Sequence, residues 1–172
     1  MREQQTELQT ANQELTRLSL TDPLTGLANR RQFDLSLERE HAHWQRSHQP
    51  LSLLMLDLDH FKQVNDHYGH PTGDQYLCAL AEVLRQHCNR ATDLVSRHGG
   101  EEFVCLLPGT EPAEAARIAH DIRRALQALK LPNALASPPF LTVSIAELLT
   151  HADIMLYAAK DGGRNRVAAK TL

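Results

Sequence analysis

Leu51-Ser52-Leu53-Leu54-Met55-Leu56-Asp57-Leu58-Asp59 decides the fold of this chain. Residues 51–58 are almost wholly apolar, as expected of a central β-strand covered on both faces. Asp57 falls at the carboxyl end of that strand, where open α/β sheets place their ligands. A charge there is costly without a partner, and a hard divalent cation is the natural one. Asp59 has two readings, a cap for the helix beginning near Phe61 or a direct metal contact. Asp57 is the stronger ligand candidate, because a strand offers its side chain no local backbone donors.

The second informative stretch is Gly99-Gly100-Glu101-Glu102-Phe103. Leu94–Arg97 and Phe103–Leu107 flank the glycines as a hairpin, whose tight turn at Gly99 and Gly100 a nucleotide can approach. A glycine pair alone is an ordinary hairpin turn; two acids directly after it add chemistry. Successive strand residues point to opposite faces, so Glu101 and Glu102 are expected to differ in role. One completes a metal site with Asp57 while the other supports it or binds elsewhere. Two metal ions about 3.5–4 Å apart would stabilise the attacking and leaving oxygens of a phosphoryl displacement.

Between these stretches lies Phe61-Lys62-Gln63-Val64-Asn65-Asp66-His67-Tyr68-Gly69-His70-Pro71-Thr72-Gly73-Asp74. Lys62, one helical turn from the metal strand, is either a phosphate-neutralising cation or a solvated surface lysine. Asn65 and Asp74 flank a turn-rich loop. Guanine presents N1–H and N2–H donors that a carboxylate accepts, whereas adenine presents an acceptor at N1, so Asp74 is placed to select guanine. Its alternative is an N-cap of the next helix.

Working outward, helices are expected over Asn29–His48 (Phe33, Leu35 and Leu37 near its apolar side), Phe61–His67, Asp74–Cys88 (Leu77, Leu80, Ala81 and Leu84 at helical spacing), Pro112–Leu129 and Leu148–Lys160. Further strands are expected over Phe140–Ile145 and Asn165–Ala168. Mixed βα units with one hairpin imply an α/β (α+β) sandwich, a central and mostly antiparallel sheet flanked by helices. Residues 1–19 differ: they are polar, free of Gly and Pro, with Leu8, Ala11, Leu15 and Leu18 at the 3-4-3 spacing of an a/d seam. They read as a helical stalk ahead of a domain at 20–172. Two heptads are too few to hold a coiled coil alone, so the seam either packs on its own domain or ends a longer parallel dimer stalk.

At 172 residues the chain suits one domain plus this appendage. No stretch approaches the roughly 20 apolar residues of a membrane span, and the N-terminus is too polar for a signal peptide. A net charge of −3 leaves no global footprint for a nucleic-acid polymer or an anionic membrane, so an anionic substrate must be held by local donors and metal. Cys78, Cys88 and Cys105, odd in number and without C-x-x-C spacing, argue against a disulfide framework or zinc site and fit a cytoplasmic location.

These motifs, in this order, resemble the GGDEF-domain diguanylate cyclases in their GGEEF variant. The resemblance is carried by LTDPLTGLANRRQF at 20–33, LDLDHFKQVNDHYGHPTGD at 56–74, RATDLVSRHGGEEF at 90–103 and ADIMLYAAKDGGRNRV at 152–167. It implies a nucleotidyl-cyclase or polymerase-palm-like fold and condensation of two GTP into cyclic di-GMP with release of two pyrophosphates. It further implies that Asp57, the Leu58 carbonyl and Glu101 hold Mg²⁺ or Mn²⁺, two ions per half-site, with Glu101 accepting the proton of the attacking 3′-hydroxyl. By the same analogy Glu102 assists at the metal site and Lys62 stabilises transition-state charge. Asn65, His70 and Asp74 contact guanine and ribose, while Lys160 and Arg164 hold the terminal phosphates. Arg90-Ala91-Thr92-Asp93 sits in the register of the family's product-inhibition site, where arginine can fork onto a guanine O6/N7 edge and aspartate accept from N1 and N2. A salt-bridged turn is the alternative.

Each such domain holds one GTP, so the resemblance implies a homodimer whose two sites face each other, with the stalk and an upstream sensor setting their geometry. One departure stands out. The family's strand matching Thr142–Ile145 continues into glycine and a loop of about a dozen residues, whereas Ala146-Glu147 runs directly into Leu148-Leu149. This is either a deletion or a loop left out of the chain, and a deletion would strain the approach of the helix bearing Lys160. Two other functions are compatible with the motifs: a non-catalytic cyclic di-GMP receptor using Arg90 and Asp93, and a related cyclase with a different nucleotide product.

Overall fold

The computed structural model of the chain describes residues 10–12, 15 and 19–161. Its strands are β1 (Ala28–Asn29), β2 (Leu51–Leu58), β3 (Leu94–Gly99), β4 (Glu102–Pro108) and β5 (Val143–Leu148). Its helices are α1 (Arg30–Ser47), α2 (Phe61–Tyr68), α3 (His70–His87), α4 (Pro112–Ala128) and α5 (His151–Asp161). The strands form one sheet in the order β1-β3-β4-β2-β5. Only β1 and β3 run parallel, so the sheet is mixed and largely antiparallel.

The period of two in β2 explains its almost wholly apolar character. Leu54, Leu56 and Leu58 join Phe103, Cys105 and Leu107 of β4 in a core shared with Leu77, Leu80 and Leu84 of α3 and Ile122 and Leu126 of α4. Leu51 and Leu53 join Val104 and Leu106 against Phe33 and Leu37 of α1 and Ile154 and Met155 of α5. With helices on both faces, both parities of the strand are buried from Leu51 to Leu54, and only Asp57 is exposed.

Several expected boundaries move, each for a local reason. Asn29 caps α1, accepting from the Gln32 amide at 3.0 Å, and His48 closes the helix in the left-handed conformation. Leu35 is 43% exposed, because it lies two residues from the buried Phe33 and so on the far side of the helix. α3 starts four residues earlier than expected, at His70, with Gly69 at its N-cap and Pro71 in its first turn. Asp74 is therefore a helical residue and not a cap. β5 lies three residues later than expected, at Val143–Leu148, paired along β2 from Leu58 to Leu53.

That shift uses the residues of the shortened connection as strand. Leu149 and Thr150 alone then link β5 to α5, and the Thr150 hydroxyl accepts from the Asp153 amide at 3.1 Å to cap it. Ile154 and Met155 are buried, so α5 seats on the sheet despite the short link. The last expected strand, Asn165–Ala168, lies outside the described residues, as do Leu8 and Leu18 of the seam. Ala11 and Leu15 are helical and exposed, so these two seam residues are not packed on the domain.

The ends of α1 and α5 meet through imidazoles. His41 Nδ1 and His151 Nε2 are hydrogen-bonded at 2.9 Å, and the His151 ring stacks on Trp44 at 3.7 Å and 3°. Burial, and then the neighbouring His41 and His48, hold the His151 imidazole below its ordinary value. The unfolded chain therefore binds more protons than the folded one below about pH 6.5. Stability is complete above that pH and declines as pH falls through the ordinary value toward the depressed one. The melting temperature is expected to drop more steeply from pH 7 to 5.5 in the native protein than in His151→Gln; equal slopes would reject this linkage.

Candidate active site

The β2–β4 register sets Asp57 directly opposite Glu102, and the β2–β5 register sets it opposite Ser144 on its other side. Gly99 pairs with Glu102, leaving Gly100 and Glu101 as the corner of the hairpin, with a register irregularity between Arg97 and Gly99. Glu101 and Glu102 are thus not successive strand residues, as the alternation argument supposed. Glu101 stands at the corner and Glu102 opens the strand. The shift follows from Gly99 at φ 137° and Gly100 at φ 51°, backbone conformations that glycine adopts without strain. A Cβ added at either glycine would meet nothing within 4 Å, so the space above the corner is open to a ligand.

Burial first, and then the charges of Glu101 and Asp59, push the Asp57 carboxyl above its ordinary value. Such crowding of oxygen donors suits a hard divalent cation. Asp57, Glu101 and the Leu58 carbonyl are the oxygen donors expected from the sequence, and Mg²⁺ is commonly held by one or two carboxylates plus substrate phosphates. Among the described residues no three His, Cys, Asp or Glu side chains converge to hold an ion unaided.

Asp59 does not cap α2. The N-cap of α2 is His60, with no side-chain cap bond. Both Asp59 carboxylate oxygens instead accept hydroxyls at 2.6 Å, from Thr142 and Ser144.

Lys62 is exposed in the first turn of α2, close after Asp57 in the chain. Asn65 lies one turn further along, while His70 and Asp74 are exposed on the first turns of α3. These polar residues lie on α2 and the start of α3, which Gly69 joins. Lys160 is exposed near the end of α5; Arg164 lies outside the described residues.

Sequence reasoning missed a pair that braces the hairpin corner. Arg97 donates from Nε and Nη2 to the Gly100 carbonyl at 3.0 and 2.9 Å and from Nη1 to Asp22 at 3.1 Å. Asp22 also accepts from the Thr25 amide and hydroxyl at 2.8 and 2.7 Å. Burial raises the Asp22 carboxyl, but Thr25 and Arg97 outweigh it and leave it below the ordinary value. The Asp22-x-x-Thr25 spacing was the legible signal, an aspartate bonding its own following turn; nothing local pointed to Arg97.

Arg90 and Asp93 sit at the other end of the hairpin, roughly 20 Å along β4 from Glu101. Arg90 donates from Nε and Nη2 to Asp93 Oδ1 at 3.2 and 3.0 Å, and also reaches the Thr110 hydroxyl. The Asp93 side chain is 2% exposed, and the two residues are ion-paired within the turn. Beside it opens a cavity of about 470 Å³ walled by Trp44, Leu51, Arg90, Thr92 and Pro108.

A family profile described as "Diguanylate cyclase, GGDEF domain" matches residues 19–166. Diguanylate cyclase DgcM of Escherichia coli K12 is 41% identical over 175 residues, covering 95% of this chain and 42% of that protein. The bifunctional diguanylate cyclase/cyclic di-GMP phosphodiesterase MucR of Pseudomonas aeruginosa is 39% identical over 170 residues, covering 93% and 25%. The chain thus spans less than half the length of these relatives. The coiled coil and GGDEF domain of DgcB from Caulobacter crescentus, solved with c-di-GMP, superposes at a TM-score of 0.70 with 31% identity, covering 98% of this chain and 95% of that one. The active GGEEF domain of a Vibrio cholerae diguanylate cyclase gives 0.61 and 30%, covering 84% and 99%. With the profile spanning the sheet, the glycine corner and both helical layers, the chain belongs to the GGDEF family of diguanylate cyclase domains.

Proposed function

We propose that this domain is a diguanylate cyclase that joins two GTP into cyclic di-GMP and releases two pyrophosphates. The observation that supports it most is the meeting of Asp57 and Glu101 at an open glycine corner. Two copies face each other, each holding one GTP. Each 3′-oxygen attacks the opposing α-phosphorus, a P–O bond forms, and the bond to the leaving pyrophosphate breaks. Glu101 accepts the hydroxyl proton, and Glu102, opposite Asp57, supports the metal carboxylate. Lys62 offsets charge on the transferring phosphoryl group, while Lys160 and Arg164 hold the terminal phosphates.

Asn65, His70 and Asp74 bind the nucleoside, and Gly99 and Gly100 admit the triphosphate. Asp57, Glu101 and the Leu58 carbonyl would hold Mg²⁺ or Mn²⁺, two ions per half-site, which neutralise the phosphates when bound. Residues 1–19 act as a stalk that aligns two domains of 20–172 under an upstream sensor. GTP as substrate fits a cytoplasmic reaction, and among the described residues no helix is long and apolar enough to cross a membrane.

Product returns to Arg90 and Asp93 as an inhibitor, exchanging their ion pair for contacts to guanine. Incubation with GTP and Mg²⁺ is expected to yield cyclic di-GMP by mass spectrometry, and ATP to yield no dinucleotide. Tight cyclic di-GMP binding with no product from GTP would establish a receptor instead. Added cyclic di-GMP should slow the native enzyme and spare Arg90→Ala; identical inhibition curves would leave Arg90 as a structural brace.

A further inference from the structure

Gly73 is buried in α3 although no unusual backbone conformation calls for glycine there. Glycine is among the poorest residues for a helix interior, so its presence marks a close approach. What approaches is polar. A Cβ at residue 73 would stand 1.9 Å from Asn65 Oδ1, 3.1 Å from Asn65 Cγ and 3.2 Å from Phe61 Cζ. Asn65 therefore lays its amide oxygen against the bare Cα of Gly73, a Cα–H···O contact. Its Nδ2 lies no closer than 3.2 Å to that position, so the two ends of the amide are in different surroundings. Asp74, the next residue, is exposed beside this contact.

We propose that Gly73 is a specificity-determining positioning residue. Lacking a Cβ, it seats the Asn65 oxygen on α3 and leaves the Asn65 NH₂ as the group offered to a purine. The two helices then present one donor, Asn65 Nδ2, and one acceptor, the Asp74 carboxylate. A 6-oxo-2-aminopurine answers with an acceptor at O6 and donors at N1 and N2. A 6-aminopurine presents the reverse, a donor at N6 and an acceptor at N1, and would leave both protein groups unpaired. With a side chain at residue 73, the amide is displaced and this pattern is lost. The inference rests on the reading of Asn65 and Asp74 as the base-binding pair.

The test uses the full chain and the affinity for 3′-deoxy-GTP, which binds but lacks the hydroxyl needed for condensation, with 3′-deoxy-ATP as comparison. G73A is expected to weaken 3′-deoxy-GTP about tenfold and to narrow its preference over 3′-deoxy-ATP. N65A should weaken it similarly, and N65A/G73A should bind no worse than N65A alone, because the group that the new methyl displaces is already gone. The double variant should also melt at or above the temperature of G73A, since alanine suits the helix once the amide is removed.

Wild-type binding by N65A would overturn the base-binding reading itself. Weakened binding by N65A with wild-type binding by G73A would overturn only the role of Gly73. Additive losses in the double variant, or no recovery of its melting temperature, would route the effect through Phe61 and overturn the inference equally.

Discussion

Glu101→Gln is expected to lower the initial rate of dinucleotide formation by about 10²–10⁴-fold, the range in which a positioned proton acceptor contributes. Glutamine keeps the length and shape of the side chain but cannot take a proton from the 3′-hydroxyl. The fold should be indifferent to the change. Glu101 stands at the hairpin corner with Gly100, outside the β3–β4 ladder, and the corner is braced by Arg97 through the Gly100 carbonyl, not through the acid. Removing its charge also takes away one of the two acidic neighbours that raise the Asp57 carboxyl. The metal-free variant should therefore melt no lower than the native protein. Initial rates with saturating GTP and Mg²⁺, measured beside thermal unfolding in chelator, decide the matter. Retained turnover would remove Glu101 from the chemistry; a large fall in melting temperature would give it a structural role instead.

How far the sequence carried the reading depends on the range of the interactions. β2 was legible to the residue, because helices on both faces make every position but Ser52 apolar until Asp57. Leu77, Leu80, Ala81 and Leu84 were legible because their helical spacing is a local pattern, and all four are buried. The hairpin was legible, but its corner was not. Two glycines at positive φ carried the turn one residue downstream and gave Glu101 a place that strand alternation cannot assign.

Asp59 failed for another reason. Its hydroxyl partners Thr142 and Ser144 lie 83 and 85 residues away, so the helix cap was the only hydrogen-bonding role visible nearby. Arg97 and Asp22 are 75 residues apart and escaped notice likewise. Tertiary partners that satisfy a polar side chain leave no trace in local spacing, whereas burial leaves a periodic one. Asp57 carried a third kind of signal, since a carboxylate that ends an apolar strand bears a cost set by burial and by the acids beside it.

Asp57→Asn turns that cost into a measurement with two readouts of opposite sign. A carboxyl whose folded value lies above its unfolded one makes the folded state bind more protons, so it removes stability as pH rises through that window. At neutral pH and without metal, ionised Asp57 is thus a destabilising charge, set by burial and by Glu101 and Asp59. Asparagine fits the same place between Glu102 and Ser144 in the ladder and removes the charge. In chelator at pH 7, Asp57→Asn should melt above the native protein.

Mg²⁺ with GTP should reverse the order. A ligand at about 100 times its Kd stabilises by about 2.7 kcal/mol, which for a domain of this size is a rise of roughly 5–10 °C. The native protein should show that rise and the variant should show little of it, because half of its carboxylate donor set is gone. Turnover should fall by at least about 10²-fold, since the charge that the cations would neutralise in the transition state is worth several kcal/mol. Equal Mg²⁺-GTP shifts in the two proteins would remove Asp57 from the metal site. A variant that melts lower in chelator would show that its charge is already paired within the fold.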